Sequence, residues 1–294
     1  MRRRIVFLLL ALTLLTLFSL RMGAIPLPWQ VLLSGWHADS EYHYVLMQYR
    51  LPRVVLALII GAALAVSGAL VQGVVHNPLA SPDILGINHG ASLASVAALW
   101  FLPSLPLPWL PLLAFIGGMS AMVTIAIALA GFSHPMRLAL TGIALSACWA
   151  SVTDYLLLSR PQEINNALLW LTGSLWARDG SFVVIALPLL AILLPLSFAL
   201  SRDLDLLALG RDRAGTLGVN VRRLNGYALT LAVALASIGV AVCGPIAFIS
   251  LVVPHHCASP VRRSPPLFIA PVRADGRAGS ATRLSAGANA ASAA

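Results

Sequence analysis

The residues that could perform chemistry in this 294-residue chain are few and lie far apart. Its seven His residues are scattered along the sequence, and only His255 and His256 are adjacent. The three Cys residues, Cys148, Cys243 and Cys257, form no Cys-x-x-Cys pair and show none of the spacings typical of zinc sites. We therefore expect neither a metal site nor a catalytic site on this chain.

The charged residues limit which further functions are possible. All 19 basic residues are Arg, so the chain lacks the Lys with which a P-loop contacts the phosphates of ATP. The net charge of +9 comes from Arg residues between apolar runs, which favours a role in membrane topology over nucleic-acid binding. Asp154 is the one acid inside an apolar run. It lies about a turn from the end of that run, where a solvated or capping role is favoured over substrate contact.

The composition predicts a membrane protein. Hydrophobic residues make up 59% of the chain and charged residues 10%, whereas about a quarter of a soluble domain is charged. Because backbone polar groups must be satisfied within lipid, we predict an all-α, polytopic helical bundle. A helix needs roughly 17–25 apolar residues to cross the hydrocarbon core. We predict seven spans, at residues 5–20, 54–72, 84–102, 109–132, 138–158, 182–200 and 227–242.

The Arg residues also predict the orientation of the chain. Arg2, Arg3 and Arg4 precede the first span, and the same side would hold the Arg-rich segment 201–226. Since positive residues favour the cytoplasmic side, we expect the amino terminus in the cytoplasm. Within segment 201–226, Gly210 and Gly218 predict two short helices, each ended by Gly in the left-handed conformation.

A second polar segment, residues 77–86, joins the second and third predicted spans. Here Ser81 is placed to cap a helix, Pro82 suits the first helical position, and Asp83 complements the positive helix end. These residues predict a tight turn that re-enters the membrane.

Three segments are similar to motifs of the ABC importer permeases for siderophores and cobalamin. They are Asn-Pro-Leu-Ala-Ser-Pro-Asp-Ile-Leu-Gly at 77–86, the Leu-Gly pairs within 209–219, and Gly-Pro-Ile-Ala-Phe-Ile-Ser-Leu-Val-Val-Pro-His at 244–255. The resemblance extends from the first span to about His255. It implies a multi-pass protein of the bacterial inner membrane, a transport subunit and not an enzyme, within an ATP-driven, binding-protein-dependent importer.

The resemblance also implies partners and functional residues. The partners are a second, homologous permease, a periplasmic substrate-binding protein, and two ATPase subunits that hold ATP and Mg²⁺. No cofactor is expected on this chain, and its surroundings are membrane lipid. Arg50 and Arg53 would contact acidic residues of the binding protein. The ATPase-coupling residues would be Leu209, Gly210, Ala214, Leu217, Gly218 and Val219, and the family turn would contain Asn77, Pro78, Leu79, Ala80, Pro82 and Gly86.

The cargo is implied by closer similarity within the family. Segments 49–53, 158–162 and 165–170 are most similar to its ferric citrate members, which implies import of ferric citrate or a related ferric siderophore. Cobalamin or another siderophore stays an alternative, because selectivity lies largely in the binding protein. A membrane-embedded enzyme or a passive channel is an alternative of a different class. It would need polar clusters or a charged ring within the membrane, and the spans offer only Asp154.

The sequence departs from the family pattern after His255. We predict a permease domain at 1–255, with seven spans and the start of an eighth, truncated at its carboxyl end relative to the family. Residues 256–294 are rich in Arg, Pro, Gly, Ser and Ala and contain no run long enough to cross a membrane. This composition favours a disordered tail, and we favour a frameshifted end to an ordinary permease gene as the explanation of the change in composition. In either case we expect insertion without transport.

Overall fold

The computed structural model describes residues 2–23, 27–29, 42–102, 104, 109–129, 135–159, 168, 170–176 and 178–258. Long apolar runs fold into helices throughout this part, which contains no strand. The α-helices are α1 (Arg2–Arg21), α2 (Leu51–Val75), α3 (Ile87–Phe101), α4 (Leu110–Ala128), α5 (Pro135–Ser159), α6 (Gly180–Ala199), α7 (Ser201–Leu207), α8 (Arg211–Thr216), α9 (Val221–Cys243) and α10 (Ile249–Ala258). A π-helix (Val45–Arg50) leads directly into α2, and a 3₁₀ helix (Pro82–Leu85) precedes α3. The all-α prediction is confirmed for the described residues.

Five helices in the described part are long and apolar enough to cross a membrane. They are Val45–Val75, Leu110–Ala128, Met136–Ser159, Gly180–Ala199 and Val221–Cys243, and Val6–Arg21 forms a shorter apolar helix. The chain is therefore a multi-pass membrane protein. In the described part a helix covers most of each of the seven predicted runs. Five of these helices qualify as spans, whereas the apolar part of α1, Val6–Arg21, and helix α3 are shorter.

The third predicted run, 84–102, is shorter as a helix because a turn interrupts it. Gly86 has φ of +74°, a left-handed conformation that ends the 3₁₀ helix and begins α3. The helix after this turn has only 15 residues, about 22 Å at 1.5 Å per residue, which is less than the hydrocarbon core of a bilayer.

Helix α9 lies at the centre of the bundle. In its most apolar window 83% of the helix is buried, against 44% for the span that contains α2 and 17% for α6. Small residues allow close approach to α2: the Ser67 hydroxyl donates a buried hydrogen bond of 2.5 Å to the Ala232 carbonyl. A Cβ at Gly239 would lie 3.1 Å from the Leu64 side chain. Asn220 begins α9 by accepting a hydrogen bond of 3.1 Å from the Arg223 backbone N–H.

The helices belong to one compact unit that ends at Cys257. Helix α10 continues to Ala258, three residues past the boundary predicted from the sequence. The predicted tail lies outside the described residues from 259 onward, so the predicted domain boundary stays a prediction.

Candidate functional site

The charged segment, defined here as residues 201–220, folds into the two short helices α7 and α8. Its underside is apolar: Leu207 and Ala214 are buried and pack with Leu224 at the start of α9. Val219 is half-buried against the same cluster. The segment therefore has its own small core and a defined shape, which a merely solvated loop would lack.

The second of these helices ends in a complete Schellman motif. The Gly218 N–H donates to the Gly215 carbonyl at 3.1 Å, and the Val219 N–H donates to the Ala214 carbonyl at 3.0 Å. Gly218 has φ of +89°, as this motif requires. Gly210 differs from the prediction. It lies at the start of α8, and its φ of +110° and ψ of 150° are the mirror image of an extended conformation. This conformation is needed because the chain turns sharply there from α7 into α8.

Two large apolar side chains project from this folded segment. Leu209 is 52% exposed and Leu217 is 58% exposed, each next to one of the two glycines. The six coupling residues predicted from the sequence therefore separate into three kinds. Ala214 and Val219 hold the segment together, Gly210 and Gly218 turn the chain, and the two leucines are large apolar side chains exposed on its surface.

His76 connects the charged segment to the carboxyl-terminal end of α2, a contact that the sequence did not predict. It ends α2 in the left-handed conformation, with φ of +57°. Its Nε2 lies 3.1 Å from the Leu207 carbonyl oxygen, and its Nδ1 lies 3.1 Å from the Val74 carbonyl oxygen. Because both neighbours are acceptors, a neutral ring can donate to one of them at a time, whereas the imidazolium can donate to both.

The family turn follows directly after His76. Asn77 accepts a hydrogen bond of 2.9 Å from the Leu79 N–H through its side chain, and its carbonyl accepts one of 3.0 Å from the Ala80 N–H. Ser81 stands at the helix start but its side chain makes no capping bond, so that prediction was wrong. Pro82 does occupy the first turn of the 3₁₀ helix, where its missing N–H costs nothing.

The end of this turn packs tightly against α5. A Cβ on Gly86 would lie 3.0 Å from the Ser146 hydroxyl, and a Cβ on Gly142 would overlap the Ile84 carbonyl oxygen. Asp83 is enclosed by this contact. Burial raises the pKa of its carboxyl above the ordinary value, while His89 and the Asn88 side chain act in the opposite direction. Of the six residues of the family turn, Ala80, Pro82 and Gly86 are buried, whereas Leu79 is 66% exposed.

At the other end of α2, the two predicted docking arginines differ in their surroundings. The Arg50 Nη1 donates to the Leu20 carbonyl at 2.6 Å and to the Arg21 carbonyl at 2.8 Å. These are the last carbonyls of α1, which lack partners within the helix, so Arg50 caps α1. The Arg53 guanidinium lies over the Tyr49 ring, 6.0 Å from its centroid, and its Nε is buried without a hydrogen-bond partner among the described residues.

The predicted sites thus lie at two ends of one helix. The carboxyl-terminal end of α2 brings the family turn, His76 and the charged segment together, and its amino-terminal end carries Arg50 and Arg53. The 25 residues of α2 separate these ends by about 37 Å. No cluster of three or more metal-ligating side chains occurs among the described residues. The predicted ATPase-coupling residues and the predicted docking arginines therefore lie at opposite ends of one helix.

Comparison with known proteins identifies what this arrangement is similar to. The model of the FecCD transport family matches residues 9–271. The chain is 64% identical over 255 residues to the Fe(3+) dicitrate transport system permease protein FecD of Escherichia coli (strain K12), covering 87% of this chain and 80% of that protein. It is 42% identical over 253 residues to a Bacillus subtilis (strain 168) permease protein of an Fe(3+)-citrate import system, covering 85% and 76%. A solved ABC transporter described as of metal-chelate type, in an inward-facing conformation, aligns with a TM-score of 0.79 and 25% identity, over 89% of this chain and 82% of the other.

Proposed function

This chain belongs to the FecCD transport family, and we propose that it is the membrane-spanning permease of an ATP-driven importer of ferric citrate. The assignment of ferric citrate as the cargo rests on the 64% identity over 255 residues to the E. coli Fe(3+) dicitrate permease. The iron is cargo and arrives already chelated by citrate, so transport requires no metal site on this chain. A related ferric siderophore or cobalamin is the alternative cargo.

We infer that ATP and Mg²⁺ bind on separate ATPase subunits. A chain without Lys cannot form the P-loop that holds the β- and γ-phosphates. The charged segment supplies the contact surface for an ATPase: Leu209 and Leu217 project from it, and its internal core keeps them in place. Two ATPase subunits and a second, homologous permease would complete the assembly.

Movement of the ATPase would reach the membrane through His76. When the ATPase shifts α7, the contact from the Leu207 carbonyl to the His76 ring moves the inner end of α2. The Ser67 hydroxyl joins α2 to the buried helix α9, so the displacement enters the centre of the bundle. His76 is therefore a positioning residue in this proposal and contacts no cargo.

At the outer end, we propose that Arg53 is the main docking residue for the periplasmic binding protein. Arg50 already donates to two carbonyls of α1, so its contribution to docking competes with its role in capping that helix. This assignment places the amino terminus in the cytoplasm. Opposite charges at such a surface govern encounter and orientation more than affinity.

Co-purification with the ATPase tests the function class. The permease is co-expressed with a candidate ATPase subunit, and Leu209→Ser and Leu217→Ser are compared with Thr216→Ser. The control introduces the same side chain at a neighbouring exposed position. Since a buried Leu contributes about 1.5–3 kcal/mol, each Leu variant should weaken ATPase binding about tenfold or more. Equal ATPase recovery from all three variants would contradict the proposal.

Uptake of radiolabelled iron tests the cargo. Cells that lack their own ferric citrate permease receive either this chain or a chimera in which residues 1–255 are joined to the remaining part of the E. coli relative. Uptake through the chimera should require citrate and a functional ATPase. If other ferric chelates or cobalamin abolish the uptake by competition, the alternative cargo is favoured. If uptake persists without ATP hydrolysis, a passive channel is favoured.

A further inference from the structure

A cavity of about 620 Å³ lies between α1 and the outer end of α2, away from the charged segment and the family turn. Its size is within the range of about 300–1,000 Å³ that small-molecule sites occupy. Most of its wall is apolar, with Leu12 and Leu15 from α1 facing Val54, Ala57 and Leu58 from α2. The cavity therefore suits a hydrocarbon chain along most of its length.

One end of the cavity is cationic. Arg50, Arg53 and Tyr49 all line it. The guanidinium of Arg50 is bonded to the carbonyls that end α1. Arg53 makes no hydrogen bond or ion pair with the part of the chain that the structure describes, and its Nε is buried. A half-buried cation without an anion is costly, since removing charge from water is offset only by a partner of opposite charge.

The position of the cavity indicates where its occupant comes from. Leu15 is 65% exposed and Leu58 is 39% exposed, and both belong to apolar helices. The cationic end lies near the start of the candidate span Val45–Val75, and the ends of a span are where lipid headgroups are expected. A molecule that enters from the bilayer would meet the apolar walls with its chains and the guanidinium of Arg53 with its headgroup.

We propose that this cavity is a binding site for an anionic phospholipid, with an acyl chain between α1 and α2 and the phosphate at Arg53 while no binding protein is docked there. The negative charge selects an anionic lipid over a zwitterionic one, because the ammonium of a zwitterionic headgroup offsets its own phosphate. The acyl chain selects a lipid over a soluble phosphate, because a small anion would leave the apolar walls uncovered. The lipid would fill the space between α1 and the bundle and hold α1 in place.

Native mass spectrometry of the 294-residue chain in a neutral detergent tests the proposal, without a binding protein present. Three probes are compared: phosphatidylglycerol, phosphatidylcholine with the same acyl chains, and soluble glycerol 3-phosphate. We expect retention of one phosphatidylglycerol at concentrations where neither other probe is retained. Equal retention of phosphatidylcholine, or displacement of phosphatidylglycerol by glycerol 3-phosphate, would overturn the proposal.

Three variants separate the two parts of the site. Arg53→Gln should weaken phosphatidylglycerol binding about tenfold or more, because it removes a charge-assisted hydrogen-bond donor. Ala57→Phe fills the cavity and leaves every Arg in place, so it should also abolish retention of the lipid. Arg137→Gln removes an exposed Arg that does not line the cavity and should leave retention unchanged. Wild-type retention in either of the first two variants would refute the assignment.

Discussion

Gly218→Val tests whether the charged segment acts through its shape. Gly218 has φ of +89°, and a Cβ added there would meet no atom within 4 Å. Any destabilisation by Val at this position therefore comes from the backbone conformation and not from steric overlap. An L-residue in the left-handed region costs roughly 1–2 kcal/mol. The chain could instead open the cap and lose two hydrogen bonds, each contributing about 0.5–1.5 kcal/mol net. Because the smaller of these two free-energy costs applies, we expect Gly218→Val to destabilise the capped segment by about 1–2 kcal/mol. The population in which the segment is open should then be about 5–30 times larger.

Gly215→Val is the matched control. Gly215 lies in α8, three residues earlier, has an ordinary helical φ, and also has open space around an added Cβ. In a helix, Val is no worse than Gly. The two variants therefore add the same side chain to the same short segment and differ only in the backbone conformation at the site of change.

Limited trypsin digestion measures the effect directly. Arg213 is exposed in α8, and at low protease concentration its cleavage rate follows the open population of the segment. Gly218→Val should be cleaved about 5–30 times faster than Gly215→Val. It should also hydrolyse more ATP for each ferric citrate transported, in the chimera that carries residues 1–255. Equal cleavage and equal coupling in the two variants would refute the reasoning.

Three further predictions concern the two ends of α2 and the turn that follows it. Arg53→Glu should weaken docking of the binding protein most at low salt, whereas Arg50→Glu should also lower the thermal stability because it uncaps α1. His76→Ala should reduce coupled transport at unchanged ATPase binding, and His76→Gln, which can donate to one carbonyl, should restore part of it. Because burial raises the pKa of Asp83, its neutral form stabilises the folded protein below about pH 4, and this stability is lost as the pH rises through the raised value. Asp83→Asn should therefore melt at a higher temperature than the parent at neutral pH, and the difference should shrink as the pH falls.

The helices and the family were predictable because they depend on local sequence. Apolar runs of sufficient length must be helical in lipid, and in the described part a helix covers most of each predicted run. The Leu-Gly pairs and the turn at 77–86 led to the family that the comparison then confirmed. The interruption at Gly86 was less visible, since a glycine inside an apolar run is compatible with either a helix or a turn.

The roles of individual polar residues depended on contacts between distant segments. Arg50 bonds carbonyls 29 and 30 residues away, and His76 contacts a carbonyl 131 residues away. A carbonyl acceptor has no sequence signature, because every residue supplies one. A pattern could therefore identify Arg50 as an outer-face cation, but only the folded chain shows that α1 already uses it.

The close contact between α2 and α10 leads to a last prediction. A Cβ on Gly68 would overlap the Ser250 carbonyl oxygen and would lie 3.1 Å from the Pro254 ring, so Ala there must push the two helices apart. Overpacking of this kind costs about 1–3 kcal/mol. Gly61→Ala is the control, because it lies in the same helix with no atom within 4 Å of an added Cβ. We expect Gly68→Ala to lower the melting temperature in detergent and Gly61→Ala to leave it unchanged or raise it. If the two variants melted at the same temperature, α2 and α10 would not be packed as closely as the structure shows.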